Sequence, residues 1–247
     1  MTLAFCIYDL KIGVQDSLDA FIQIVDDLGL SNESIRVAGP VESAAINVPL
    51  GRLESMGELF SGMYEYSFDV ASGDRNAAAL KNCAPYVSYL RAADRDSIIV
   101  FSPRQSDLQD FAGRFLRDTP GKYGFGMDWN RPGSFFAYVY GFGDTLSRAR
   151  TLLDGPEPPG WGELYLQSEP TLFDEGLFRA IYPVNLLTTA HLTRETGSGT
   201  AQELILSRAD WGGITQLADD WFLWCVPLSE IDYARREFES RGLIQNR

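Results

Sequence analysis

The chain is short of the groups that carry most enzymatic chemistry. Its 247 residues include one histidine, His191, and three lysines, Lys11, Lys81 and Lys122. A single histidine excludes His-rich zinc sites and leaves a Ser-His-Asp triad only with His191 as base, and no G-x-S-x-G accompanies it. None of the lysines falls in a G-x-x-x-x-G-K-S/T loop, which removes the phosphate cradle of an NTPase. Cys6, Cys83 and Cys225 lie far apart without a C-x-x-C, so they read as buried free thiols of a reducing compartment rather than as a disulfide. The longest stretch without charge, 180–193, contains Pro183, Asn185 and His191 and is shorter than the roughly 18 residues of a membrane span. The first ten residues carry no basic segment and reach Asp9 before a signal peptide could form, so a cytoplasmic location is expected. Neither a cofactor nor a metal is expected.

Basic residues are the other shortage. Acids outnumber bases 34 to 21, a net charge of −13, which argues against coating nucleic acid or an anionic membrane and favours a basic partner. The imbalance is uneven: residues 1–74 carry 12 acids and 3 bases, 75–123 carry 5 and 8, and 124–247 carry 17 and 10. What the chain does have is 45% hydrophobic residues, enough for the core of one domain spanning 1–247. A chain this long could also divide into two α+β halves, about 1–120 and 121–247.

An apolar run, a turn and an amphipathic helix recur about four times. Leu3 to Tyr8 precedes a helix capped by Asp16 or Ser17, with Leu18, Phe21, Ile22, Val25 and Leu28 on one side and Gly29 after it. Ser97 to Ser102 leads to a capping box at Ser106 and Gln109, with Leu108, Phe111, Phe115 and Leu116 behind it. Val184 to Thr188 leads to a helix over about 200–207, and Trp221 to Val226 leads through Ser229 and Asp232 to a helix ending at Gly242. Tyr64, Tyr66, Phe68 and Val70 alternate with Glu65, Ser67 and Asp69 as in a half-buried strand. Tyr123-Gly-Phe-Gly126 and Tyr140-Gly-Phe-Gly143 flank Asn130-Arg-Pro-Gly133 and predict a glycine-rich hairpin; they lack the third glycine of a dinucleotide fingerprint. Asp154 to Gly160 reads as a surface loop. The fold class is α+β, a mixed, largely antiparallel sheet packed with amphipathic helices.

Carboxylates are the abundant functional group. Asp16, Asp19, Gln23 and Asp26 share the polar side of the first helix beside Asp27, and Glu54, Glu58, Glu65 and Asp69 follow. These acids are the candidate partner-binding residues, although an ordinary solvated helix face has the same pattern. Trp221 and Trp224 point to opposite faces of one strand; at least one should be core, and the other could anchor an interface.

Residues 179–243 carry a further pattern. The run Arg179-Ala-Ile-Tyr-Pro183-Val-Asn185-Leu-Leu-Thr-Thr-Ala-His191-Leu192 precedes a Gly/Thr-led helix, Gly213-Ile-Thr-Gln-Leu217, Trp221-Phe-Leu-Trp224-Cys-Val-Pro227 and a closing helix to Gly242-Leu243. This part resembles the immunity protein 52 family. The resemblance implies a non-enzymatic immunity protein that binds and neutralises a polymorphic toxin, often one delivered by type VI secretion and typically a nuclease of restriction-endonuclease fold. The implied partner is a basic, nuclease-like protein toxin. Pro183, Asn185, His191, Trp224 and Pro227 stand at the motif positions and read as architectural. Two other readings compete: a hydrolase in which His191 meets an acid and a nucleophilic Ser or Thr, and a regulatory module with an aromatic small-molecule or peptide pocket near the Tyr-Gly-Phe-Gly hairpin.

Overall fold

The computed structural model describes residues 3–10, 13–39, 45–60, 63, 65–74, 84–92, 95–102, 121–129, 135–140 and 171–244. The first half comprises β1 (Leu3–Tyr8), α1 (Val14–Asp27), β2 (Ile35–Ala38), β3 (Ile46–Val48), the single turns α2 (Leu50–Leu53) and α3 (Gly57–Phe60), β4 (Glu65–Ala71), β5 (Tyr86–Ala92) and β6 (Arg95–Ser102). The second comprises β7 (Tyr123–Asp128), α4 (Phe135–Tyr140), α5 (Thr171–Asp174), β8 (Val184–Leu187), α6 (Thr189–Thr193), α7 (Ala201–Leu206), β9 (Ile214–Ala218), β10 (Trp221–Cys225) and α8 (Ile231–Ser240). The strands form one sheet in the order β3-β2-β4-β5-β6-β1-β7-β8-β10-β9. Every ladder in it is antiparallel, so the fold is α+β; the parallel pairing described is an isolated bridge between Phe178 and Ile244.

β1 lies inside this sheet, with Cys6 opposite Ile99 of β6 and Phe125 of β7. Its side chains alternate as strand geometry requires. Phe5 and Ile7 enter a core shared with Leu18, Phe21, Ile24 and Val25 of α1, with Phe60, and with Tyr66, Phe68 and Val70 of β4. Ala4, Cys6 and Tyr8 enter a second core on the opposite face, built with Phe135 and Tyr138 of α4, Phe173 of α5, Ile205 of α7 and Phe238 of α8. Helices therefore cover both faces, which is why β1 reads as a continuous apolar run.

Several local expectations change. α1 begins three residues earlier than read: Gly13 is its N-cap and Asp16 sits at the third helical position, where its carboxylate accepts the Gly13 N–H at 3.2 Å. Ser17 faces the core. The last helix is capped by Glu230 rather than Ser229, and Asp232 pairs with Arg235 instead of closing a capping box. The glycine-rich hairpin does not form. Tyr123–Asp128 is a strand, as expected, but pairs with β1 and β8, whereas Phe135–Tyr140 is helical. Gly124 is a close approach: a Cβ there would lie 2.8 Å from Cys6 O and 2.6 Å from Leu186 Cδ1. Trp221 and Trp224 do face opposite sides, but both are buried, so neither is an exposed anchor. Tyr64, Cys83, the 106–116 helix, 130–133, Gly141–Gly143 and the 154–160 loop lie outside the described residues.

A fully buried guanidinium joins the second core. Arg179 donates to Tyr8 Oη at 2.6 Å, Tyr138 O at 2.8 Å and Val139 O at 3.3 Å, and lies over the rings of Tyr138 (4.7 Å) and Phe125 (5.3 Å). The two carbonyls belong to the last described turn of α4, and Val139 O also accepts the Tyr8 hydroxyl at 3.0 Å. One planar fork thus ties α4 to β1 and β7. Arg179→Met should lower the unfolding free energy by about 3 kcal/mol and Arg179→Lys by about half as much, since an ammonium cannot span all three acceptors. Denaturant unfolding checks this; a loss below about 1 kcal/mol for Arg179→Met would contradict the assigned role.

Candidate functional site

The outer side of α1 carries one sign of charge. Ser17, Leu18, Phe21, Ile24 and Val25 face the core, so the helical period turns Asp16, Asp19, Gln23, Asp26 and Asp27 to solvent. No basic residue occurs in Val14–Asp27. Neutral neighbours hold the carboxylates: Gln15 Nε2 donates to Asp19 at 2.9 Å, Gln23 Nε2 donates to Asp27 at 3.3 Å, and Ser31 Oγ donates to Asp26. α3 packs beside this helix so closely that a Cβ on Gly57 would meet the Gln15 side chain at 2.2 Å. The next residues, Glu58 and Leu59, are exposed, Leu59 by 55%. An apolar side chain therefore stands at the margin of an acidic surface.

The candidate acids do not form one patch. Along β4, Tyr66, Phe68 and Val70 face α1, so Glu65 and Asp69 point to the opposite side of the sheet. Asp69 is engaged there, accepting from Ser88 Oγ at 2.6 Å and pairing with Arg36 at 3.5 Å. Asp16, Asp19, Asp26, Asp27 and Glu58 belong to the α1–α3 surface. Glu54 begins the turn Glu54–Met56 between α2 and α3; its side chain is outside the described set.

A buried acid fixes the entry to α1. Asp96 of β6 accepts the Leu10 N–H at 2.7 Å and the Tyr89 hydroxyl at 3.3 Å, and lies 3.9 Å from the Arg91 guanidinium. Its backbone carbonyl accepts from Asp9, whose φ of +50° turns the chain out of β1. Burial pushes the Asp96 carboxyl up to about 6, the Leu10 and Arg91 contacts opposing it, and burial pushes the Tyr89 hydroxyl up as well.

The motif residues of the C-terminal part are all held by packing or backbone contacts. Asn185 accepts the Tyr182 N–H at 3.0 Å and donates to Tyr182 O at 2.6 Å and Trp224 O at 3.4 Å. Trp224 Nε1 donates to Trp211 O at 2.9 Å and stacks on Phe238. Pro183 O accepts the Val226 N–H, and Pro227 packs near Gly212. His191 is fully buried; Nδ1 accepts the Thr188 N–H at 3.3 Å and lies 3.0 Å from Thr188 Oγ1, while its ring stacks on Tyr123 and meets the edge of Phe178. The imidazole occupies the place that Glu or Gln takes in a capping box. The ring has no exposed surface.

The aromatics expected to line a pocket pack on one another. Phe125 stacks on Tyr182 at 4.1 Å, and Trp129, Phe135 and Tyr138 lie within 6.2 Å of one another. An open polar cleft of about 430 Å³ lies elsewhere, lined by Glu33, Arg36, Asn47 and Asp74 among others. Among the described residues no three His, Cys, Asp or Glu side chains gather as a metal site, and no helix is long and apolar enough to cross a membrane. Cys6 and Cys225 are free thiols; burial raises both, Cys225 to about 11.

These features define an α+β protein that presents an acidic helical surface. No protein-family profile and no curated protein matches the chain. Its fold is similar to that of the Pseudomonas aeruginosa T6SS protein PA0821, with a TM-score of 0.56 and 14% identity over 98% of this chain and 73% of that one. A second solved structure, the toxic C-terminal tip of CdiA from Pseudomonas aeruginosa in complex with immune protein, overlaps at a TM-score of 0.29 and 11% identity, over 53% of this chain and 88% of that one. The first likeness is one of fold.

Sequence reading passed over Leu59, Asp96 and Arg179. A charge inside an apolar run marks Arg179, in Phe178-Arg-Ala-Ile, whereas Asp96 closes the charged run Asp94-Arg-Asp96 and has no such mark. Because the folded state favours the neutral Asp96 carboxyl, its contribution to stability is fully present below about pH 4 and is lost as the pH rises through about 6. The stability of Asp96→Asn relative to wild type should therefore improve steadily over that window; a difference independent of pH would contradict the assignment.

Proposed function

We propose that the chain is a non-enzymatic, cytoplasmic immunity protein, a single domain that binds a basic, nuclease-like protein toxin of a type VI system through its α1–α3 surface. The observation that carries this reading is the outer face of α1: four aspartates and no base, next to the exposed Leu59. A nuclease presents positive charge to phosphates, so an acidic surface can occupy that site and gain fast, steered association. Charge alone supplies rate more than affinity, and Leu59 adds an apolar anchor at the margin of the charged surface. The resemblance of residues 179–243 to the immunity protein 52 family supports the reading, and the description of the structure of similar fold as a T6SS protein agrees with it. The hydrolase reading loses its base to the core, where His191 caps α6.

Co-expression with the toxic product of the neighbouring gene tests the function: the wild-type chain should restore growth and co-purify with that product, and failure of both would remove the proposal. Asp19→Lys with Asp26→Lys should slow association by about tenfold at low salt and flatten its salt dependence. An unchanged on-rate would take α1 out of the interface. Leu59→Ala should leave the on-rate alone and speed dissociation by about tenfold or more, as read by surface plasmon resonance.

A further inference from the structure

The helical turns from Leu50 to Phe60 follow one another without a break and lay Leu53 and Phe60 into the core beneath α1. Part of what they leave outside is apolar. Met56 and Leu59 stand three residues apart and so share one side of the turns, Met56 half-buried and Leu59 exposed. Met63 follows, partly buried against the same core, its N–H bonded to Phe60 O at 3.0 Å. Two of the chain's four methionines thus flank Leu59 in sequence. A thioether side chain is unbranched and polarisable and adapts to an irregular surface, which suits it to receive the apolar face of an amphipathic segment.

Gln15 joins these turns to the acidic face of α1. Its Oε1 lies against Gly57, and its Nε2 donates to Asp19 at 2.9 Å. From Asp16 the exposed aspartates continue to Asp27, about 17 Å along the helix at 1.5 Å per residue. Leu50–Phe60 holds one base, Arg52, against Glu54 and Glu58, and α1 holds none, so the two parts together stay acidic. A partner that matches both has positive charge along one line and apolar side chains along the line beside it. A basic amphipathic helix is the simplest element with that arrangement.

We propose that the element of the partner seated on this surface is a basic amphipathic helix, with its cationic side on the α1 aspartates and its apolar side on Met56, Leu59 and Met63. The proposal deepens the immunity reading and rests on it for the identity of the partner. The chemistry of the contact follows from the surface itself: opposite charge steers the helix in and sets its orientation, and the apolar side chains withdrawn from water hold it there. Met56 and Met63 thereby join Leu59 as determinants of affinity, while the aspartates determine the rate of arrival.

Two peptides of one composition, leucine and lysine, separate this contact from plain charge attraction: one has its leucines at spacings of 3 and 4, the other is shuffled. Titration calorimetry on the full chain should show the patterned peptide binding about fivefold tighter or more. Met56→Gln with Leu59→Gln should abolish that preference. The same pair of substitutions should speed dissociation of the neighbouring gene's product by about tenfold and leave its association rate as in the wild type. Met56→Leu should keep both properties, and Leu228→Gln, at an exposed leucine ahead of α8 on the opposite face of the sheet, should alter neither. Melting temperatures within about 2 °C of the wild type show that the variants are folded. Equal binding of the two peptides, or glutamine variants that behave as the wild type, would overturn the proposal. A wild type that prefers the patterned peptide but ignores the neighbouring product would remove the immunity reading and leave the surface assignment standing.

Discussion

Side chains Ala4 to Tyr8 of β1 have no exposed surface, and both backbone edges of the strand bond to neighbours. A strand enclosed on four sides has to be covered by helices on both faces, because an uncovered face would leave Phe5 and Ile7, or Cys6 and Tyr8, in water. The chain divides that duty by segment. α1 and the short turns before β4 cover one face, and the helices after β7 cover the other. The acidic surface follows from this division: among the described residues α1 has only the short turns of Leu50–Phe60 beside it on this face, its aspartates meet solvent, and charge placed there costs little.

On the other face the described helices are mostly of four to six residues, and segments that short have little stability of their own. Arg179 bonds the carbonyls of Tyr138 and Val139, the latter shared with the Tyr8 hydroxyl, while its charge rests on aromatic faces. This also explains why six residues of aromatic and β-branched character, Phe135 to Tyr140, are helical where their composition favours a strand. The deciding partner lies about 40 residues away in sequence and leaves no local mark.

Where burial on one face sets a strong period, the elements were legible: β1 and α1, β6, β8 and the β10–α8 pair emerge from apolar spacing and terminal glycines. β2 and β3, with four and three residues, are too short to show a period, and β9 is neutral on both sides. Caps shifted by one to three residues because Asp16 and Asp232 each have more than one way to serve a helix start. Of the acidic surface, the α1 portion could be read from spacing alone. That β4 turns Glu65 and Asp69 away from it could not, since the side of the sheet that α1 covers is decided by tertiary packing.

The position of β1 has a kinetic side. Its two partners arrive about 90 and about 120 residues later in synthesis, so a strand of wholly apolar side chains waits with both hydrogen-bonding edges open while most of the sheet is still to be made. Until β6 and β7 dock, α1 is the cover that β1 has nearby, and a nascent chain of this design has reason to lean on chaperones. The same arrangement makes the finished sheet hard to open piecemeal, since freeing β1 means parting both halves of the chain at once.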